Sequence, residues 1–359
     1  MKNLLIWIAF WSMDSFSFAN NKEDYQQDYS KLQKLFEKYY PHSEKSGYVD
    51  WSNYWEANKS FAINSADRSD FLSRLQKITG RFRDWHVAIY SGEKGFSCLP
   101  IQIKRVGNDP IVVGPKNAAR FGQQIVGVDG IDIQQLIDQQ SQHHKGSTYS
   151  AEVYEHTQWL GCRKKSILGA SESDSIAVTF ADGTTDTFSR SESDNDPTPK
   201  LQELLIPPAK STQVSKVPNA FIVGKDGYLN ISAFIKWPIE SWPPSSEAIK
   251  SYALPYQTAL EKLKSSDQVV LDLRDNGGGP HYYYCPIMKM LGLDMKKCGD
   301  THAVDYPVIY TGKLKVLVNE GCYSGCEAFS AHMQDNGRAT IIGTTTAGAG
   351  GYATIPLYI

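Results

Sequence analysis

Two short apolar runs constrain the fold of this 359-residue chain more than any other feature: Val269-Val270-Leu271-Asp272-Leu273 and Leu314-Lys315-Val316-Leu317-Val318. Each is near-continuous in aliphatic residues, as expected of a strand buried on both faces. Helical periodicity runs from Ser245 to Ser265 before the first, and a helix is expected from about Ser324 to Gln334 after the second. With a strand at Tyr228-Leu229-Asn230-Ile231, this alternation predicts an α/β domain, a mostly parallel sheet covered by helices, over residues 219–359. Upstream, Tyr29 to Phe36 and Phe71 to Leu75 place apolar residues at helical spacing, so residues 20–95 read as a helical region. Residues 96–190 read as a small β domain. Pro110 to Val113, Ile125 to Gly130 and Ser175 to Gly183 carry β-branched residues and Asp-Gly turns. The piece GQQIVGVDGIDIQQLI resembles the strand, turn and helix of PDZ-like modules, with a plain structural β domain as the alternative. Residues 191–218, rich in Ser and Pro, read as a linker.

The first 19 residues read as a secretory signal. Lys2 precedes the apolar run Leu4 to Trp11, and Ser17-Phe18-Ala19 supplies small residues for cleavage. That run falls well short of the roughly 20 apolar residues that span a bilayer, so a periplasmic or secreted protein without an integral membrane segment is expected. A net charge of -2 without a basic run gives no footprint for nucleic acid. Six cysteines (Cys98, Cys162, Cys285, Cys298, Cys322 and Cys326) would then meet an oxidising compartment. Their connectivity stays open, with Cys285–Cys298 preferred because it closes a short loop. Cys322 and Cys326 lack a second pair at metal-site spacing, so neither a metal nor any other cofactor is expected.

Two segments follow directly on the buried strands, at the sheet edge where open α/β folds bind ligands. In Leu271 to Gly279 (LDLRDNGGG), three glycines allow backbone N–H groups to approach a ligand, or make a tight turn and nothing more. In Asn319 to Glu327 (NEGCYSGCE), a sharp turn places Ser324 at the mouth of a helix, where the macrodipole favours developing negative charge and the Gly325 amide can donate to an oxyanion. Ser324-x-x-Glu327 is equally a capping box.

Taken in order, DLRDNGGG and NEGCYSGCEAFSAHMQDNGRATIIGTTTAGAGG resemble the core of the tail-specific and tricorn-type serine peptidases over roughly residues 226–352. The resemblance implies a ClpP/crotonase-like α/β fold, Ser324 as nucleophile, and the amides of Gly278 and Gly325 as the oxyanion hole. Tail-specific relatives take a lysine base from the Gly-rich turn, but here that turn reads Thr345-Thr346-Ala347-Gly348-Ala349-Gly350 and no lysine follows Lys315. Tricorn-like relatives use an upstream histidine near an Asp-x-His sequence. Asp84-Trp85-His86 fits, with His281 in reserve. His143, His144 and His156 are expected to be solvated, and His332 lies about 12 Å along the helix from Ser324.

The orienting acid is not assigned. Relatives take it from beyond the nucleophile helix, whereas this chain stops at Ile359, so the domain is expected to be short at its C-terminal end. Glu327 is the nearest acid and is contested by capping. The expected function is hydrolysis of peptides or unfolded protein tails by an exported serine endopeptidase. The alternatives are a silent peptide- or lipid-binding protein on the same fold, and a serine hydrolase acting on a non-peptide ester or amide.

Overall fold

The computed structural model describes residues 22–39, 51–84, 86, 89, 95–116, 118–142, 147–165, 175–200, 209–216, 218–236, 243–293 and 306–349. The expected signal segment, His143, His144, Cys298 and everything after Ala349 lie outside the described residues. The chain divides into two compact units, the second spanning residues 200–350.

The first unit opens with α1 (Lys22–Tyr39), α2 (Trp51–Ile63) and α3 (Arg68–Gly80). Their apolar faces share one core of Tyr25, Tyr29, Trp55, Phe71, Leu75 and Ile78. Each such burial stabilises by roughly 1.5–3 kcal/mol relative to exposure. The Asp67 carboxylate accepts the Asp70 N–H and starts α3.

The β region of this unit comprises β1 (Phe96–Cys98), β2 (Gln102–Val106), β3 (Asp109–Gly114), β4 (Ile125–Val128), β5 (Ile131–Asp132), β6 (Cys162–Lys164), β7 (Ser175–Phe180), β8 (Thr185–Ser189) and β9 (Ser191–Ser193). They pair as β6-β1-β9, β2-β3 and β5-β4-β7-β8, all antiparallel. Alternation points Ile176, Val178 and Phe180 of β7 into a second core with Ile103, Val112 and Ile125. The strand, turn and helix read at 122–137 are β4, β5 and α4 (Ile133–Gln140), the helix capped by Asp132. Helix α5 (Tyr149–Gly161) leads into β6, and a disulfide joins Cys98 to Cys162, directly opposite each other in register. His156, expected to be solvated, is instead 0% exposed. It shares the inward face of α5 with Val153 and Leu160 and sits edge-on to Trp159.

The second unit is built on one six-stranded sheet: β10 (Ser211–Ser215), β11 (Ala220–Val223), β12 (Asp226–Asn230), β13 (Gln268–Asp272), β14 (Lys313–Val318) and β15 (Ala339–Gly343), in that order. The first two pairings are antiparallel and the other three parallel. Helices α6 (Ser246–Leu263), α7 (His281–Met290) and α8 (Gly325–Asp335) supply the connections and cover. Leu229, Val269, Leu271 and Val316 of the sheet pack with Leu260, Ile287, Phe329 and Met333 in one core. Arg338 of the QDNGRA motif fans onto the carbonyls of Leu291, Tyr310 and Gly312 and fastens the entry to β15. Within the stretch read as a linker, Ser191–Ser193 and Ser211–Ser215 form strands β9 and β10. Their serines and threonine satisfy edge pairing as readily as a loop would, so composition does not tell the two apart.

Candidate active site

Parallel strands deliver their C-terminal ends to the same sheet edge, so the turns after β13 and β14 lie side by side. The turn after β13 begins with a fully buried carboxylate. Asp272 accepts from Arg274 through Nε at 2.9 Å and a terminal nitrogen at 2.6 Å, and from the Tyr228 hydroxyl at 2.8 Å. The hydrogen bonds to Asp272 push the Arg274 pKa further up. Burial first, then Asp272, pushes up that of Tyr228. The Asp-Leu-Arg part of the motif is therefore a brace rather than a reacting group: it neutralises a buried charge and fixes where the turn starts.

The two turns are knitted by amide pairs. Asp275 N–H donates to Asn319 Oδ1 and Asn319 Nδ2 donates to Asp275 Oδ1, each at 2.8 Å. Tyr323 N–H reaches the Asn276 carbonyl at 3.3 Å, and buried Asn276 donates to the Ile231 carbonyl at 2.8 Å. The glycines then allow backbone to touch backbone. A Cβ on Gly278 would lie 2.7 Å from Gly325 N and 2.9 Å from Ser324 Cβ. One on Gly279 would drive into the Phe234 carbonyl, and one on Gly325 into the Gly279 carbonyl. The glycines serve close approach, which a merely flexible turn would not need.

Ser324 stands where this loop meets α8, with φ +56° and ψ −122°, a conformation that side-chain-bearing residues rarely adopt. Its carbonyl accepts the N–H groups of Glu327 and Ala328 at 3.0 and 3.1 Å. The capping-box arrangement is present, and its carboxylate half is made by Glu327 Oε2 accepting the Ser324 N–H at 3.1 Å. In the other half the Ser324 hydroxyl faces the Glu327 N–H without a capping hydrogen bond among the described residues. The N–H groups of Gly325 and Gly279 have no acceptor among the described residues. That of Gly278, expected as an oxyanion donor, is engaged by Asn276 Oδ1 at 2.8 Å.

Both oxygens of Glu327 are engaged in holding turns together. Oε1 accepts from the Thr346 hydroxyl at 2.8 Å and from Gly348 N–H at 2.7 Å, which docks the Gly-rich turn onto the Ser324 turn. Ala347 N–H adds a bond to the Cys322 carbonyl at 3.0 Å. A disulfide joins Cys322 to Cys326 on either side of Ser324, a pairing that sequence spacing left open. The expected bridge from Cys285 to Cys298 lies outside the described residues.

His86 stands in the first unit, in the segment after α3. Phe82 of this segment packs on Trp55, and Gln76 Nε2 holds the Ile89 carbonyl at 2.7 Å. Oδ1 of Asp84 accepts the His86 N–H at 2.9 Å and lies 3.1 Å from Nδ1. The His86 side chain is 11% exposed, and its buried Nε2 has no hydrogen-bond partner among the described residues. With Nδ1 donating to Asp84, a neutral imidazole presents Nε2 as a proton acceptor. Asp84 was legible beside His86, but the resemblance directs the search for an acid downstream of the nucleophile. His281, at the start of α7, stacks on Tyr282 at 4.3 Å, and burial lowers its pKa. Among the described residues no group of three His, Cys, Asp or Glu could hold a metal, and no helix is long and apolar enough to cross a membrane.

Residues 225–356 match the profile of Peptidase family S41. Mature CPAF has a crystal structure of similar fold, with a TM-score of 0.70 at 18% identity over 92% of this chain and 85% of that one. Mature CPAF complexed with lactacystin gives 0.68 at 19% identity over 92% and 86%. A stretch of 45 residues is 49% identical to an uncharacterized protein of Chlamydia muridarum (strain MoPn / Nigg). That stretch is 12% of this chain and 8% of that relative's length.

Proposed function

We propose that this chain, whose residues 225–356 match Peptidase family S41, hydrolyses peptide bonds through an acyl-enzyme on Ser324. The observation that carries this reading is the Ser324 turn itself. A serine at positive φ stands at a helix mouth, its hydroxyl without a capping hydrogen bond among the described residues, next to the Gly325 amide, which has no acceptor among them. In the proposed cycle His86 Nε2 takes the Ser324 proton while Asp84 keeps the ring oriented through Nδ1–H. Ser324 Oγ attacks the substrate carbonyl, and His86 returns the proton to the leaving amine. Water then repeats the sequence on the ester.

Gly325 N–H is one oxyanion donor. On the glycine loop Gly279 N–H is favoured over that of Gly278, because Asn276 already holds the latter. Loss of one such donor costs on the order of 10²–10³ in rate. The substrate class is a peptide or an unfolded protein tail. The strand, turn and helix of residues 125–140 support a guiding role for the first unit toward an extended chain. The disulfides Cys98–Cys162 and Cys322–Cys326 favour an exported, oxidising location.

Labelling by a fluorophosphonate probe tests the reading. The wild-type chain should label, Ser324→Ala should not, and His86→Ala should lose on the order of 10³-fold or more in rate. Asp84→Ala should fall between wild type and His86→Ala. Labelling that survives Ser324→Ala sinks the proposal.

A further inference from the structure

The ring closed by the Cys322–Cys326 disulfide contains Tyr323, Ser324 and Gly325, so the serine occupies its middle position. Ser324 holds φ +56°, a backbone state that persists only where its surroundings over-determine it. Glu327 accepts the Ser324 N–H at 3.1 Å, and Tyr323 N–H makes a long 3.3 Å bond to the Asn276 carbonyl. Both ends of the bridge are seated. Cys322 donates to the Asn319 carbonyl at 2.9 Å and accepts from Ala347 at 3.0 Å, while Cys326 lies in the first turn of α8 with its N–H on the Tyr323 carbonyl at 3.1 Å. Neither cysteine has any solvent exposure. The bridge thus fastens the strand side of the turn to the helix side across the one residue in an unfavourable conformation.

We propose that the Cys322–Cys326 disulfide positions Ser324 Oγ and the Gly325 N–H for attack, so that nucleophilicity at Ser324 depends on the oxidation of this pair. The inference rests on the reading of Ser324 as nucleophile. Both cysteines act through the Ser324 backbone and neither touches a reacting atom, which makes them positioning residues. The bridge forms when two thiols give up two protons and two electrons to a disulfide-carrying oxidant, which is reduced to its own two thiols. A chain folded with these thiols reduced would keep its sheet and lose its activity, which ties proteolysis to an oxidising compartment.

Three samples test this: oxidised wild type, wild type refolded from denaturant under dithiothreitol with both thiols shown free by mass and then reoxidised, and Cys322→Ala/Cys326→Ala. A Cys98→Ala/Cys162→Ala chain treated alike separates the effect of that other bridge. The readouts are fluorophosphonate labelling against probe concentration, and hydrogen exchange of the peptide covering residues 319–329. We expect the maximal labelling rate to fall about 10–100-fold without the bridge, as small misplacements of a reacting group do. The half-saturating probe concentration should stay nearly constant. Exchange across 319–329 should accelerate about tenfold or more while α6 keeps its protection, and reoxidation should restore both readouts. Labelling and exchange within about twofold of the oxidised wild type overturn the proposal. So does acceleration spread across the whole of residues 200–350, which would make the bridge a general staple. If the double variant does not fold, the reduced wild type carries the test. Should the oxidised wild type fail to label, the reading of Ser324 fails, and exchange alone decides on the bridge.

Discussion

At the residue scale, the conformation of Ser324 costs on the order of 1–3 kcal/mol, which its neighbours offset. The neighbours that do so are the ones sequence reading found hardest to place. Ser324, Gly325 and His86 stand out in the sequence because a serine at a helix mouth, the amide after it and an Asp-x-His sequence each leave a local mark. The Cys322–Cys326 pairing and the commitment of Gly278 N–H to Asn276 leave none, since both follow from where backbone turns in space. His156 was misread because a polar stretch around it hides the inward face of α5. For His281, burial lowers the pKa below the ordinary imidazole value. The unfolded chain therefore binds more protons than the folded one as pH falls through about 6.5, so this contribution to stability is present above that value and lost below it. The urea midpoint should drop between about pH 7.5 and 5.5, and the drop should be smaller in His281→Gln.

At the element scale, the unit that matters is the set of three turns: the glycine turn after β13, the Ser324 turn after β14 and the Gly-rich turn after β15. Glu327 clasps the second to the third while capping α8. Glu327→Ala should therefore cost about 1–3 kcal/mol, read as a lower melting temperature, and should slow labelling of Ser324 as well. Glu327→Gln keeps acceptor capacity on one oxygen and should lie between. The elements themselves were largely legible. The strands read at 269–273 and 314–318 are β13 (Gln268–Asp272) and β14 (Lys313–Val318), and the helices read at 245–265 and 324–334 are α6 (Ser246–Leu263) and α8 (Gly325–Asp335). Such segments announce themselves by hydrophobic period. Strands β9 and β10 do not, because short edge strands of Ser, Thr and Gln have no apolar face to betray them.

At the scale of the whole molecule, the chain assigns its proposed nucleophile to the unit of residues 200–350 and its proposed base to the other. Residues 200–350 produced alone should show the far-UV spectrum of an α/β fold yet label at least about 10³-fold more slowly than the full chain. Labelling at the full rate would exclude His86 as the base. The packing of Gly279 against Gly325 also sets how such a molecule can diverge. The atoms a side chain would strike at either position belong to the backbone of Phe234 and of Gly279 itself. No trimming of a neighbouring side chain makes room, so a lineage cannot leave these glycines by a series of tolerated steps. In the sheet core a change can be met by repacking of neighbouring side chains, while these two positions stand still.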